Sequence, residues 1–222
     1  MRHFEIQLDV LRSRLLEMGG LVETAIHRSV LAVIRRDEEE ARRVLLNEAR
    51  INQMEIENDD LAINLLATEQ PVASDLRFLT AGLRINNDLE RLGDLAINIV
   101  ERALTLLRSP ETRPLVDLPE MANLAESMVH RSLDAFVKKD AALARSVLAS
   151  DDSVDERCAE IYHDLTAVMQ REPSRIPECV AFMFVAHNLE RIADHATNIA
   201  EDVLFLVQGV DVRHHAEAKQ PA

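Results

Sequence analysis

The chain has 222 residues, a formal net charge of −14, 47% hydrophobic residues and only 3% aromatics. This length allows one or two domains with a substantial core, and a core poor in aromatics is typical of helical bundles built from aliphatic side chains. The negative charge argues against nucleic acid, because neutralising phosphates requires clustered Lys and Arg. No apolar run approaches the ~18 residues of a membrane span. We therefore expect a cytoplasmic protein that does not insert into a membrane.

Apolar residues recur at helical spacing in three long stretches of the first half. The first stretch covers 4–36 and is interrupted by Gly19-Gly20, where we expect a bend or a weak point of the helix. The second covers 37–68 and begins at an aspartate with a glutamate three residues later, which resembles a capping box. The third covers 73–107, just after a proline that disfavours helix before it. These stretches predict three long helices.

The second half of the chain repeats the first. A shift of 103 residues overlays 25–45 on 128–148, with a shared HRS tripeptide, a basic pair before an aspartate and an A-R-x-V-L ending. A shift of 100 residues overlays 86–101 on 186–201, where eight of sixteen positions are identical. The sequence therefore predicts an all-α fold of two tandem antiparallel three-helix bundles related by internal duplication.

The proline-rich segment between the repeats and the polar C-terminus set the predicted boundaries. We expect the first bundle at 1–109, a linker at 110–119, the second bundle at 120–210 and a disordered tail at 211–222.

The most distinctive repeated feature is a set of acidic and amide side chains on the third helix of each half. At about 100° per residue, each set lies within roughly an 80° stripe opposite the apolar positions. Like charges at this spacing repel, and several oxygen donors on one face suit a hard or borderline cation. The predicted metal ligands are Glu90, Asp94, Asn98 and Glu101, and their repeats Glu190, Asp194, Asn198 and Glu201, with His187 as a weaker candidate. The alternative is a solvated acidic face.

Other candidates are less distinctive. Glu23-x-x-x-His27 and Glu126-x-x-x-His130 form a repeated pair, which we interpret as ordinary partners along one helix face, with metal ligation as the alternative. On the neighbouring helices, the weak ligand candidates are two corresponding pairs, Glu57 with Glu160 and Asn52 with Asp155, which we interpret as surface residues. No glycine-rich phosphate loop, nucleophile elbow or paired Cys/His set occurs, so nothing in the sequence indicates an enzyme.

Two segments carry a resemblance to a known family. They are QPVASDLRFLTAGLRINNDLERLGDLAINIVE at 70–101 and NLERIADHATNIAEDVLFLVQG at 188–209. Both resemble the PhoU family of bacterial phosphate-uptake regulators, whose signature E-R-I-G-D-H-A-x-N-I-A-E occurs in each half. The first copy departs from that signature at Leu95, which replaces the histidine, and the second departs at Ala193, which replaces the glycine.

The resemblance implies a cytoplasmic, homodimeric, all-helical protein without enzymatic activity. Members of the family reduce phosphate uptake and starvation signalling when phosphate is plentiful, by linking the ATPase subunit of the phosphate-specific ABC transporter to a sensor histidine kinase. Some members hold multinuclear iron or zinc clusters on the acidic motifs, so the same expectation applies to the eight ligands named above. The alternative function is a ferritin-like metal store or oxidase, although the paired Glu-x-x-His motifs of di-iron bundles are missing.

Overall fold

The computed structural model describes residues 2–107, 115–210 and 212. Helices account for 92% of these residues, and no strand occurs among them, which confirms the predicted all-α class. In the same part of the chain, no helix is both long and apolar enough to cross a membrane.

The first half forms the three predicted helices. They are α1 (Arg2–Arg35), α2 (Glu38–Glu69) and α3 (Ala73–Leu107). The start of α2 is capped by Asp37, whose Oδ1 accepts hydrogen bonds from the backbone N–H of Glu39 at 2.9 Å and of Glu40 at 3.3 Å. Helix α2 ends where Gln70 adopts the left-handed conformation with φ of 48°. The predicted boundaries of these helices hold because each follows from a local backbone signal.

The second half departs from the prediction of three long helices. It contains α4 (Leu118–Lys138), α5 (Ala141–Leu148), α6 (Asp151–Arg171), a single 3₁₀ turn (Pro173–Arg175) and α7 (Ile176–Gln208). The expected second helix is therefore broken between α5 and α6. Residues 150–153 read Ser-Asp-Asp-Ser, and such short polar side chains compete with helical backbone bonds and favour helix starts. The N–H of Ser150 binds the carbonyl of Val147 at 2.9 Å, which closes α5 with a tighter turn.

The predicted boundaries of the second half are only partly within the described residues. Helix α4 begins two residues earlier than the predicted start of the second bundle at 120. Residues 110–114 of the predicted linker lie outside the described residues, as does the predicted disordered tail at 211–222 except for Val212. Val212 is buried and belongs to the hydrophobic core.

The two halves pack through α3 and α7, which make the most extensive helix contact in the described part of the chain. These helices are antiparallel, because Arg84 of α3 binds Asp202 of α7 at 3.0 Å, while Arg102 stacks on the ring of Phe184 at 4.9 Å. A shift of 100 residues converts the first pair of positions into the second. The halves are thus related by a pseudo-two-fold axis and share one continuous core.

Helices α1 and α4 also cross antiparallel to one another, and Gly19 explains why they come so close. A Cβ atom at Gly19 would lie 2.9 Å from Cδ1 of Leu133 on α4, whereas a Cβ at Gly20 would meet nothing within 4 Å. Helix α1 runs through both glycines without interruption. The first glycine therefore serves the contact between the two halves.

Removal of the observed helix caps should destabilise the protein. Asp37→Ala and Asp140→Ala are each expected to lower the free energy of unfolding by about 1 kcal/mol, because each loses two hydrogen bonds to exposed helix N–H groups. Urea denaturation followed by circular dichroism measures the loss. Asp117→Ala is the matched control, since Asp117 stands at the start of α4 without a side-chain cap bond, and a change within about 0.5 kcal/mol is expected. Equal losses for all three variants would contradict the assignment.

Candidate functional site in the acidic clusters of α3 and α7

Both predicted stripes lie on the long helices at the centre of the molecule. Their apolar backs are completely buried, as the 3.6-residue period requires. The positions with zero exposure are Leu89, Leu92, Ala96 and Ile99 on α3, and Leu189, Ile192, Ala196 and Ile199 on α7. The inner acids of the stripes face the outer helices: Glu90 has Glu55 of α2 as a neighbour, and Glu190 and Asp194 have Asp155 of α6.

Four carboxylates come together in the second half, and we call them the second-half acid cluster. Asp151 and Asp155 come from the first turns of α6, and Glu190 and Asp194 come from α7. Partial burial raises the pKa of Asp194, and the neighbouring charge of Glu190 raises it further. Burial and the same glutamate raise the pKa of Asp155. These side chains repel one another in their ionised forms.

Among the members of this cluster, Asp151 has the largest shift in pKa. Burial, followed by the charges of Asp155 and Asp194, raises its pKa from 3.8 to about 6. Its Oδ1 atom is buried and has no hydrogen-bond partner, although a buried polar atom without a partner is costly. Asp151 also stands at the start of α6, where the helix dipole favours a negative charge. Desolvation and repulsion outweigh that benefit.

The sequence did not single out Asp151, and it ranked Asp155 only as a weak candidate. The sequence feature that indicates both residues is the Asp-x-x-x-Asp spacing at the start of α6, because this spacing places two carboxylates on one helix face. The two carboxylates become part of a cluster only because α7 places Glu190 beside them.

The first half is a weaker version of the same arrangement. Burial, then the charge of Asp94, raises the pKa of Glu90, and Glu55 adds to the effect. Arg91 offsets it, with Nε 3.5 Å from Glu90 and Nη1 3.4 Å from Asp94. In the second half no described ion pair joins Arg191 to the corresponding acids. The 103-residue shift places Asn52 where the second half has Asp155, and Glu55 where the second half has Cys158, so the two halves distribute the acids of their outer helices differently.

Two further side chains touch Glu190. His187 places Nδ1 at 3.0 Å from Oε2 of Glu190, as its position on the predicted stripe suggests. The Cys158 thiol lies 3.8 Å from the same oxygen, and burial with the nearby Glu190 charge raises the thiol pKa to about 11. Cys158 is therefore a neutral thiol at physiological pH and a poor nucleophile.

The outer ends of the stripes lie apart from these acid pairs. Asn198 donates from Nδ2 to Oδ1 of Asp88 on α3 at 3.4 Å, which is a contact between the two halves. Glu201 lines two surface cavities, one of about 440 Å³ beside α3 and one of about 550 Å³ beside α5. Glu101 is exposed and lies 3.9 Å from Arg102, and Asn98 is exposed. Ligation by these four residues stays a prediction.

The histidine of the family signature in the second half also has a partner across the halves. His195 places Nδ1 at 2.8 Å from Oδ1 of the buried Asp88. At the pseudo-symmetric position the pair becomes Leu95 and Asn188, and Asn188 instead donates to the carbonyl of Phe184 at 2.6 Å. The histidine and its acid are thus present together on one side of the axis and absent together on the other.

The second-half acid cluster fits a hard or borderline cation in its chemistry. It supplies oxygen ligands, excess negative charge and one buried oxygen atom that has no other partner. Across residues 2–107 and 115–210, no three His, Cys, Asp or Glu side chains already converge as a metal site. Binding would therefore require side-chain rotation within the cluster, which the partial exposure of these residues allows.

The raised pKa of Asp151 predicts a specific pH dependence. Ionisation costs more in the folded chain than in the unfolded chain, so this group reduces stability as pH rises between about 4 and 6. Asp151→Asn is expected to raise the free energy of unfolding by about 1 kcal/mol near pH 8, a value discounted for solvent screening, and to change it little below about pH 4. Urea denaturation at both pH values measures this difference.

The matched control is Glu48→Gln, at the equivalent position of the first half. We expect a change within about 0.5 kcal/mol at both pH values, as for an ordinary surface substitution. A metal chelator is present throughout, so that cation binding does not offset the repulsion. A destabilised Asp151→Asn protein near pH 8 would refute the expectation.

Comparison with known proteins agrees with the resemblance of the motifs. The family model described as "PhoU domain" matches residues 15–103 and again residues 118–203. The phosphate-specific transport system accessory protein PhoU homolog of Pseudomonas putida is 39% identical to this chain over 214 residues. The alignment covers 96% of this chain and 84% of that protein.

Two solved structures are also similar over most of their length. PhoU from Pseudomonas aeruginosa has a TM-score of 0.91 and 38% identity, covering 93% of this chain and 100% of that one. The phosphate transport system regulatory protein PhoU from Streptococcus pneumoniae has a TM-score of 0.86 and 29% identity, covering 94% and 99% of the two chains. The duplicated acidic motif, the paired bundles and these similarities show that the chain belongs to the PhoU family.

Proposed function

We propose that this protein is a cytoplasmic negative regulator of phosphate uptake and phosphate-starvation signalling. It acts without enzymatic activity, as an adaptor between the ATPase subunit of the phosphate ABC transporter and a sensor histidine kinase. The observation that carries the proposal is similarity along nearly the whole chain to proteins named as accessory to the phosphate-specific transport system. The same family model matches each half of the chain, so the similarity extends over both halves.

The surface of the protein supports a docking role. The net charge of −14 favours association with basic surfaces on partner proteins. Helix α7 also exposes an apolar row at i, i+4 and i+8, formed by Ile176, Val180 and Phe184, which are 42%, 38% and 47% exposed. Exposed apolar rows of this kind are typical of protein interfaces. A homodimer and the two partner proteins are the proposed occupants of such surfaces.

We further propose that the second-half acid cluster holds iron or zinc. Asp151, Asp155, Glu190 and Asp194 would hold the cation, which supplies positive charge that relieves their mutual repulsion. Held in this way, α6 is fixed against α7 and the acidic face becomes less negative. The first-half pair Glu90 and Asp94 would hold a cation more weakly, because Arg91 already neutralises part of its charge.

Loss of the protein should derepress the phosphate-starvation response. A strain lacking the gene is expected to express its starvation genes in phosphate-rich medium, and a copy of the gene should restore repression, because the adaptor transmits phosphate sufficiency to the kinase. Transcript levels of starvation genes measure this. Capture of the tagged protein from phosphate-rich cells should retain the transporter ATPase and the kinase. A deletion strain that stays repressed would overturn the regulatory function, and capture of neither partner would overturn the adaptor mechanism.

The unequal clusters predict unequal metal binding. In protein purified without a histidine tag, Asp151→Asn combined with Asp155→Asn is expected to remove most of the bound iron or zinc, because the oxygen ligands lose their charge. The matched first-half change, Glu90→Gln with Asp94→Asn, should remove less. Inductively coupled plasma mass spectrometry measures the metal content per chain.

Equal losses in the two variants would contradict the proposed asymmetry. Unchanged metal in both would exclude the acid clusters as the site. Addition of ferrous iron to the purified protein separates the regulator from the ferritin-like alternative, since catalytic iron oxidation would favour the latter.

A further inference from the structure

In the fold, the histidine of each Glu-x-x-x-His motif contacts the glutamate of the other motif, on the other helix. Nδ1 of His27 on α1 lies 3.1 Å from Oε2 of Glu126 on α4, and Nδ1 of His130 on α4 lies 2.8 Å from Oε1 of Glu23 on α1. The expected pairing within each helix is therefore wrong. Because α1 and α4 run antiparallel, the glutamate of each helix stands opposite the histidine of the other.

All four side chains line one cavity of about 640 Å³ between α1 and α4. The polar side chains of Asn123 and Ser127 also line it, and so does the apolar side chain of Ile26. The two imidazoles are 59% and 66% exposed, and the two carboxylates 26% and 33%. The group is thus open to solvent from one side, and its members can rotate without disturbing the core.

The hydrogen bonds leave one nitrogen of each imidazole available. Each glutamate engages Nδ1, and within the described residues no hydrogen bond engages Nε2 of either histidine. A carboxylate on one ring nitrogen is the usual setting of a histidine whose other nitrogen binds a metal, because it orients the ring and makes it more basic. The same relation occurs here twice around one axis.

We propose that His27, His130, Glu23 and Glu126 form a binding site for one divalent transition-metal ion that bridges the two halves of the protein. The two histidines would ligate the ion through Nε2, the two glutamates would hold the rings through Nδ1, and water would complete a four-coordinate set of nitrogen and oxygen donors, which suits zinc. The site is independent of the proposed regulatory function and of the acid clusters, whose donors are almost all oxygen.

The site is not preformed, since no three such side chains converge in residues 2–107 and 115–210. On metal binding each glutamate keeps its hydrogen bond to Nδ1, and rotation of the two exposed histidines brings their Nε2 atoms to the ion. The ion then ties α1 to α4, next to the close approach of Gly19 and Leu133. Because it binds only where both helices meet, it stabilises the folded chain over the unfolded one.

Cobalt is the probe, because four-coordinate Co²⁺ has a strong visible absorption. The background protein carries Asp151→Asn and Asp155→Asn and no histidine tag, which removes the strongest acid cluster as a competitor. It is expected to bind one Co²⁺ per chain with a visible band that Zn²⁺ removes, and Zn²⁺ should raise its Tm. His27→Ala and His130→Ala should each abolish the band, and Glu23→Gln or Glu126→Gln should weaken binding by about 10- to 100-fold.

The matched control is His163→Ala on α6, a histidine that is 85% exposed and lies outside the cavity. It should bind Co²⁺ as the background protein does. Unchanged circular dichroism of every variant establishes that it is folded. The proposal is overturned if the background protein shows no saturable Co²⁺ band, or if His27→Ala and His130→Ala bind as tightly as His163→Ala.

Discussion

The antiparallel packing of α3 against α7 determines where the rest of the molecule lies. Both helices are buried along one face over their whole length, and small residues such as Ala81, Ala96 and Ala196 are completely buried there. Small side chains allow helices to approach closely and bury apolar area at low conformational cost. The remaining helices pack on this pair, α1 and α2 on one side and α4 to α6 on the other, so both halves depend on a contact that neither makes alone.

The same contact gives the acidic faces their character. Because the apolar face of each central helix is occupied, the carboxylates are presented to the outer helices, α2 and α6. There they acquire neighbours of the same sign, as Glu190 does with Asp155. A soluble helix would ordinarily relieve such repulsion with a basic residue, and the first half does so through Arg91. In the second half, His195, Arg191 and His187 offset only part of the repulsion, so the pKa of Asp194 stays raised.

The sequence predicted the helical class, most helix boundaries and the duplicated acidic motif, because periodicity, caps and repeats are local signals. It could not predict the break before α6, since the Ser-Asp-Asp-Ser run of 150–153 is compatible with either a helix interior or a helix start. It missed Asp151 because only the approach of α7 makes that carboxylate unusual. It also paired Glu23 with His27 along one helix, although the antiparallel crossing offered Glu126 instead. In each case the missing information was tertiary.

The pair formed by Asp88 and His195 shows that the duplicated halves are no longer interchangeable. At the mirrored position both members have changed, to Asn188 and Leu95, so each half now carries the complement of the other. A dimer of two first halves would bury Asp88 against a leucine, and an uncompensated buried carboxylate is strongly unfavourable. This difference between the halves therefore disfavours pairing of two first halves. The two halves thus share the backbone arrangement of the repeat, while the side chains at the contact between α3 and α7 differ between them.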